Sequence, residues 1–167
     1  MTQPAHRSLR SIVVRGLALG TLTIALCAAV FAQQVQRSAA PVADAAVRFA
    51  SVDVFVDSPE PLAAWQFELT DASGSMLIVG VENGDSAAFG DAPYFDLDAV
   101  QAGSAERIVV ADFNADPGAE LPEGATRIAT VHVRYGAQID PDYQIRLMAA
   151  GNAAGERIDA AIRLATR

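Results

Sequence analysis

The chain is 167 residues long, 51% of them apolar, and its twelve arginines, absence of lysine and twenty acids give a formal net charge of −8. So acidic a chain repels nucleic acid and anionic lipid headgroups, and it favours solubility or a cationic partner. One cysteine, Cys27, and two histidines, His6 and His132, exclude a disulfide framework and leave a histidine- or cysteine-based zinc site without ligands.

Met1 to Ala32 reads as a signal peptide. Arg7, Arg10 and Arg15 precede an apolar-to-small run from Gly16 to Phe31, and Val30 and Ala32 occupy the positions a signal peptidase reads. Cleavage after Ala32 removes 32 of the 167 residues and leaves 135, among them nine arginines and all twenty acids, for a mature charge of −11. The alternative is an uncleaved anchor, for which the run falls short of the roughly 20 residues of a comfortable membrane span. Cys27 belongs to the apolar region, and the bulky Leu26 before it does not fit a lipoprotein signal. The expected destination is outside the cytoplasm, periplasmic or extracellular, with attachment to the inner membrane if the segment stays.

Gln33 to Ala46, rich in Ala and Gln and without a sustained period, reads as a flexible linker, and residues 47–167 as one folded domain. Its first strand alternates Ala50, Val52, Val54 and Val56 with Ser51, Asp53, Phe55 and Asp57, and Ser58-Pro59-Glu60-Pro61 ends it. Leu62 to Gly84 then predicts two strands joined by a polar turn. Trp65, Phe67 and Leu69 share one face opposite Gln66, Glu68 and Thr70, and Met76 to Val81, apolar at nearly every position, predicts a strand covered on both sides.

Asp85 to Ser104 mixes Gly, Pro and Asp with Phe89, Tyr94 and Phe95, and Asp96 to Gln101 predicts a helical turn stopped by Gly103. Strands return at Arg107 to Phe113 and at Thr126 to Tyr135. In the second of these Ala129, Val131, Val133 and Tyr135 face inward and Thr130, His132 and Arg134 outward. Asp140-Pro141-Asp142 turns the chain into Tyr143 to Ala149. Gly151, Asn152 and Gly155 mark a hairpin, and Arg157 to Leu164 places Ile158, Ala160, Ile162 and Leu164 inward. Seven short strands, one helical turn and no long amphipathic helix predict an all-β, two-sheet antiparallel sandwich.

The LAAWQFEL strand, the VGVENG strand exit, the Gly124 to Val131 strand after a loop and the closing hairpin resemble the bacterial cohesin domain and its carbohydrate-binding-module relatives, over most of Val52 to Leu164. The resemblance implies a jelly-roll sandwich that binds a partner and does no chemistry. The turn after LAAWQFEL usually carries a Tyr-Asp-Pro-like sequence in that family. Here Asp71-Ala72-Ser73-Gly74-Ser75 replaces it, which counts against docking of a dockerin module.

Two segments are candidates for a site. Asp112, Asn114, Asp116 and Glu123 match positions one, three, five and twelve of a calcium loop, with oxygen ligands in alternation and a closing carboxylate. Pro117 stands where that loop needs glycine and strands flank it, so calcium is disfavoured and a turn built by local Asp and Asn bonding is expected; no other cofactor is implied. In the aromatic insert, Phe89 and Phe95 are expected to cap the sandwich and Trp65 to lie in the core. Tyr94 is the candidate ligand-binding ring.

His132, the one mature histidine, is expected to face solvent without a catalytic partner. The function expected from the sequence is therefore that of a non-catalytic, exported binding module for a polysaccharide or an extracytoplasmic protein. A structural or assembly subunit of an envelope complex is the alternative, and a small hydrolase working through paired carboxylates the remote one.

Overall fold

A computed structural model describes residues 46–167; the expected signal segment and nearly all of the linker lie outside the described residues. Seven strands follow in order: β1 (Val47–Ser58), β2 (Ala64–Asp71), β3 (Met76–Asn83), β4 (Ile108–Phe113), β5 (Gly124–Gly136), β6 (Tyr143–Gly151) and β7 (Ala161–Thr166). Between β3 and β4 lie a 3-10 turn, Ala87–Phe89, and a short helix, α1 (Leu97–Gln101), started by the Asp96 carboxylate, which accepts the Ala99 amide at 2.9 Å. The strands form two antiparallel sheets, a large one in the order β3-β5-β1-β7 and a small one in the order β4-β2-β6. The expected two-sheet sandwich is thus the architecture of the chain.

Strand alternation fills the space between the sheets. Val52, Val54 and Val56 from β1, Trp65, Phe67 and Leu69 from β2, and Val131 and Val133 from β5 are all buried. Phe89 closes one end of this core edge-on to Trp65, and Phe95 packs against it partly buried, as capping rings do.

Three bulges decide which side chains face where. In β5 the partner of Val54 is Ala129 and that of Phe55 is Arg127, so Ile128 is the extra residue and is buried together with its neighbour Ala129. Gly84 lies against this bulge so closely that a Cβ there would collide with the Arg127 carbonyl and the Ile128 backbone. In β6 the extra residue is Met148, which is exposed while Ala150 is buried. In β3 it is Val79.

Three expectations are corrected, and the expected turn between β2 and β3 is found to join the two sheets. β3 is an edge strand with one buried face, carrying Met76 and Ile78, and its bulged Val79 is 40% exposed; the apolar run is longer than its buried face needs. β2 and β3 share a tight turn yet belong to opposite sheets, so that turn is a crossover. The closing hairpin is short: Ile158 donates to the Ala150 carbonyl at 2.9 Å, after which β7 crosses to pair with β1. Thr130, expected on the wet face, is fully buried, because Arg127 lies over it and Asp53 accepts its hydroxyl at 2.7 Å.

Candidate binding face

The outer face of the small sheet brings exposed apolar groups and a concavity together. Strand register stacks its outward residues in rows, with Gln66 between Ala111 and Ala149, and Ala64 between Phe113 and Gly151. Small residues at the centre of these rows leave a hollow of about 470 Å³, walled by Phe113 and Met148 and rimmed by Gln66, Asn152 and Arg157.

Tyr94 extends the sheet beyond β4. Its N–H donates to the Ala111 carbonyl at 2.8 Å and its carbonyl accepts the Ala111 N–H at 3.0 Å, so the loop carrying it lies against the edge strand. The Tyr94 and Phe113 rings stack at 5.9 Å with an interplanar angle of 11°, and each is more than half exposed, 63% and 59%. At the other end of the face Glu68 is nearly covered by two exposed arginines, Arg107 from the entry to β4 and Arg146 from β6, the latter at 2.8 Å.

Tyr94 thus stands on an open face, whereas Phe89 and Phe95 fold inward. Phe113 and Met148 escaped the sequence reading. The outward phase of Val109, Ala111 and Phe113 marks Phe113 in the sequence, but Met148 faces outward only because of a bulge that the sequence does not signal.

The Asp112 to Glu123 residues do not converge on a point. Asn114 Oδ1 accepts the Asp116 amide at 2.7 Å and Asp116 Oδ1 accepts the Gly118 amide at 2.9 Å, two successive side-chain turns. Glu123 is exposed at the entry to β5. Asp112 points inward at the end of β4, where burial raises its carboxyl pKa, and the nearby Asp91 carboxylate adds to the rise. Among the described residues no three His, Cys, Asp or Glu side chains are grouped to hold a metal ion.

His132 has partners that the sequence could not pair with it. Its Nδ1 lies 3.1 Å from the Ser51 hydroxyl on β1, and its Nε2 lies 3.1 Å from a Glu82 carboxylate oxygen on β3, without hydrogen-bond geometry. A serine, an imidazole and an acid in contact are the parts of a nucleophilic triad. Acyl transfer also needs free N–H donors aimed at the developing oxyanion. Here Ser51 and His132 are opposite residues in β1 and β5, the two central strands of the large sheet, and no such donor set is seen around them among the described residues. The trio is a cross-strand polar contact on the outer face of that sheet.

No family model matches the chain, and no curated protein matches it. Among solved structures it is similar to a non-cellulosomal cohesin from the hyperthermophilic archaeon Archaeoglobus fulgidus, at 12% identity and a TM-score of 0.45 over 66% of this chain and 72% of that one. It is also similar to a chain of the Coh-OlpA-Doc918 type I cohesin–dockerin complex from Clostridium thermocellum, at 11% identity and a TM-score of 0.46 over 68% and 82%. A third is the seventh ScaB type I cohesin from Pseudobacteroides cellulosolvens, at 12% identity and a TM-score of 0.44 over 66% and 73% of the two chains.

Proposed function

We propose that the domain is a non-catalytic, exported binding module that takes an extracytoplasmic protein on the outer face of its small sheet. The observation that carries this reading is the stacked, exposed pair Tyr94 and Phe113 beside a hollow floored by small residues. Rigid rings next to a pocket of side-chain size are what a partner's apolar anchor requires, and such anchors supply most of the affinity of an interface. The net charge of the chain favours a cationic partner; on this face Arg107 and Arg146 are paired with Glu68, and Arg157 stands beside Glu156 at the rim of the hollow. Export rests on the sequence of Met1 to Ala32.

The test compares the chain with its Tyr94→Ser, Phe113→Ser double variant. Both are immobilised and offered the extracytoplasmic proteins of the native host and, separately, insoluble cellulose and chitin. A defined protein held by the first and lost from the second supports the reading. Retention on polysaccharide that the double variant loses replaces the protein by a sugar ligand, and equal behaviour of the two chains removes the face from the function. Amino-terminal sequencing of host material checks export: a start near Gln33 is expected, and a start at Met1 in membranes indicates the anchor.

A further inference from the structure

Three of the four sheet edges are covered or broken. β3 is bulged at Val79 and its Ile78 amide donates to the Ala105 carbonyl at 2.8 Å; β4 is bridged by Tyr94 at Ala111; β6 is bulged at Met148 and its Ala150 carbonyl accepts the Ile158 amide. β7 has neither device. It is the outermost strand of the large sheet, holds no proline and pairs with β1 without a bulge from Ala161 to Thr166. Its one charged side chain, Arg163, lies over the ring of Phe55 on β1, 4.1 Å from the centroid, and is thereby drawn away from the open edge. A regular edge without a charge on it is a template for another strand.

Register decides which groups this edge offers. The Arg167 amide donates to the Ser51 carbonyl at 3.0 Å, and Ala165 and Arg163 stand opposite Asp53 and Phe55, so these residues turn their N–H and carbonyl groups toward β1. Ile162, Leu164 and Thr166 turn theirs outward. Among the described residues no main-chain group pairs with them on that side. The side chains of Ile162 and Leu164 are only partly buried, so the apolar core reaches this edge incompletely covered.

We propose that β7 pairs antiparallel with β7 of a second copy of the chain across a two-fold axis, joining two four-stranded sheets into one. Centring the pair on Leu164 sets Leu164 against Leu164 and Ile162 against Thr166, and the N–H and carbonyl groups of these three residues in both copies close six main-chain hydrogen bonds. On the outer face this register puts Arg163 opposite Ala165 of the second copy, with Asp53 next along the row, and Arg167 opposite Ala161, with Asp57 next. A small alanine thus separates each arginine from a carboxylate of the other copy. Centring the pair on Arg163 instead sets like charges directly opposite and engages fewer of the outward groups within the strand. The pairing goes beyond binding on the small sheet: it leaves that sheet's outer face uncovered, and the dimer presents the face twice.

The experiment is sedimentation equilibrium of the chain from its native host over a wide range of concentration, at low and high salt, with Thr166→Pro alongside. The mass is expected to rise toward twice that of the monomer, and at lower concentration in high salt, which screens the repulsion between two acidic chains. Thr166→Pro removes an outward N–H without touching the ladder to β1, so it is expected to fold and stay monomeric. Should it fail to fold, cysteines read the register. Beyond Ala32 the chain has no thiol of its own, and facing Cα atoms of a hydrogen-bonded pair lie about 5.5 Å apart, so Leu164→Cys is expected to give a disulfide-linked dimer on mild oxidation. Ile162→Cys, facing Thr166, is expected not to. A chain monomeric at every concentration, a dimer that Thr166→Pro leaves intact, or equal cross-linking of the two cysteine variants overturns the pairing.

Discussion

Asp71 and Asp142 tie two turns of the molecule together: Asp71 Oδ1 accepts the Asp142 amide at 2.7 Å, while Oδ2 accepts the amides of Ser75 and Met76 at 2.8 and 2.9 Å. One carboxylate at the end of β2 therefore shapes the crossover into β3 and fixes the entry to β6. Burial works against its charge, but the donors from Ser73, Ser75 and Asp142 outweigh burial and hold its pKa far below the usual carboxylate range.

Asp71→Ala leaves these amides without their acceptor and is expected to cost about 3 kcal/mol at neutral pH, the upper range for hydrogen bonds to a charged group. Because the folded pKa is depressed, the stabilisation is complete above the unfolded value of about 4 and declines as pH falls below it. Urea melts of the two chains at pH 7 and pH 3 check this. The gap between them narrows at the lower pH, and a gap that widens on acidification contradicts the assignment.

Trp65→Ala is expected to cost about 3 to 5 kcal/mol, because it removes a buried ring stacked on Phe67 at 5.7 Å and met edge-on by Phe89 at 5.9 Å. His132→Ala, at a partly exposed contact on the outer face of the large sheet, is expected to cost about 0.5 kcal/mol. Equilibrium denaturation of both variants ranks them; equal losses contradict the assignment of strand faces.

Gly84→Ala is expected to destabilise by about 1 to 3 kcal/mol or more, since the added methyl meets backbone at Arg127 and Ile128 rather than a side chain able to move. The Asp85 amide donates to the Arg127 carbonyl at 2.8 Å, so relief of the clash by shifting the chain also breaks that bond. A melting temperature unchanged by the substitution contradicts this close approach.

Period-two alternation made the strands and the core legible in the sequence, because one buried face imposes the same pattern wherever the strand pairs. Pairing itself was not legible. A four-residue turn after Asp71 reads the same whether the chain folds back within a sheet or crosses between sheets, and here the Asp71 carboxylate organises a crossover. Bulges were hidden for a related reason: an extra residue at Ile128 or Met148 changes the phase of a strand without changing its composition. Tyr94 was recoverable from its place in an aromatic insert. Its stacking partner Phe113 and the small floor of the hollow arise from register, which no local pattern records.

The same limit applies to Asp53, which the alternation of β1 places on a wet face. It is buried, and Thr130 and Arg167 donate to its Oδ1 at 2.7 and 2.6 Å, with Arg127 at 4.0 Å. Burial opposes the charge, but the donors from Arg167 and Thr130 and the two guanidinium charges lower its pKa. Asp53→Ala is expected to cost about 3 kcal/mol, because the buried Thr130 hydroxyl and Arg127 lose their acceptor and counter-charge. Arg167→Ala is expected to cost less, since that side chain is largely exposed and water replaces the lost bond. The Asp53 contribution, like that of Asp71, is present above the unfolded pKa and lost on acidification. A double-mutant cycle between Asp53→Ala and Arg127→Ala separates the ion pair from the hydrogen bond to Thr130. If the two losses simply add, Arg127 acts through Asp85 and Thr130 alone, and the buried charge of Asp53 is balanced by Arg167.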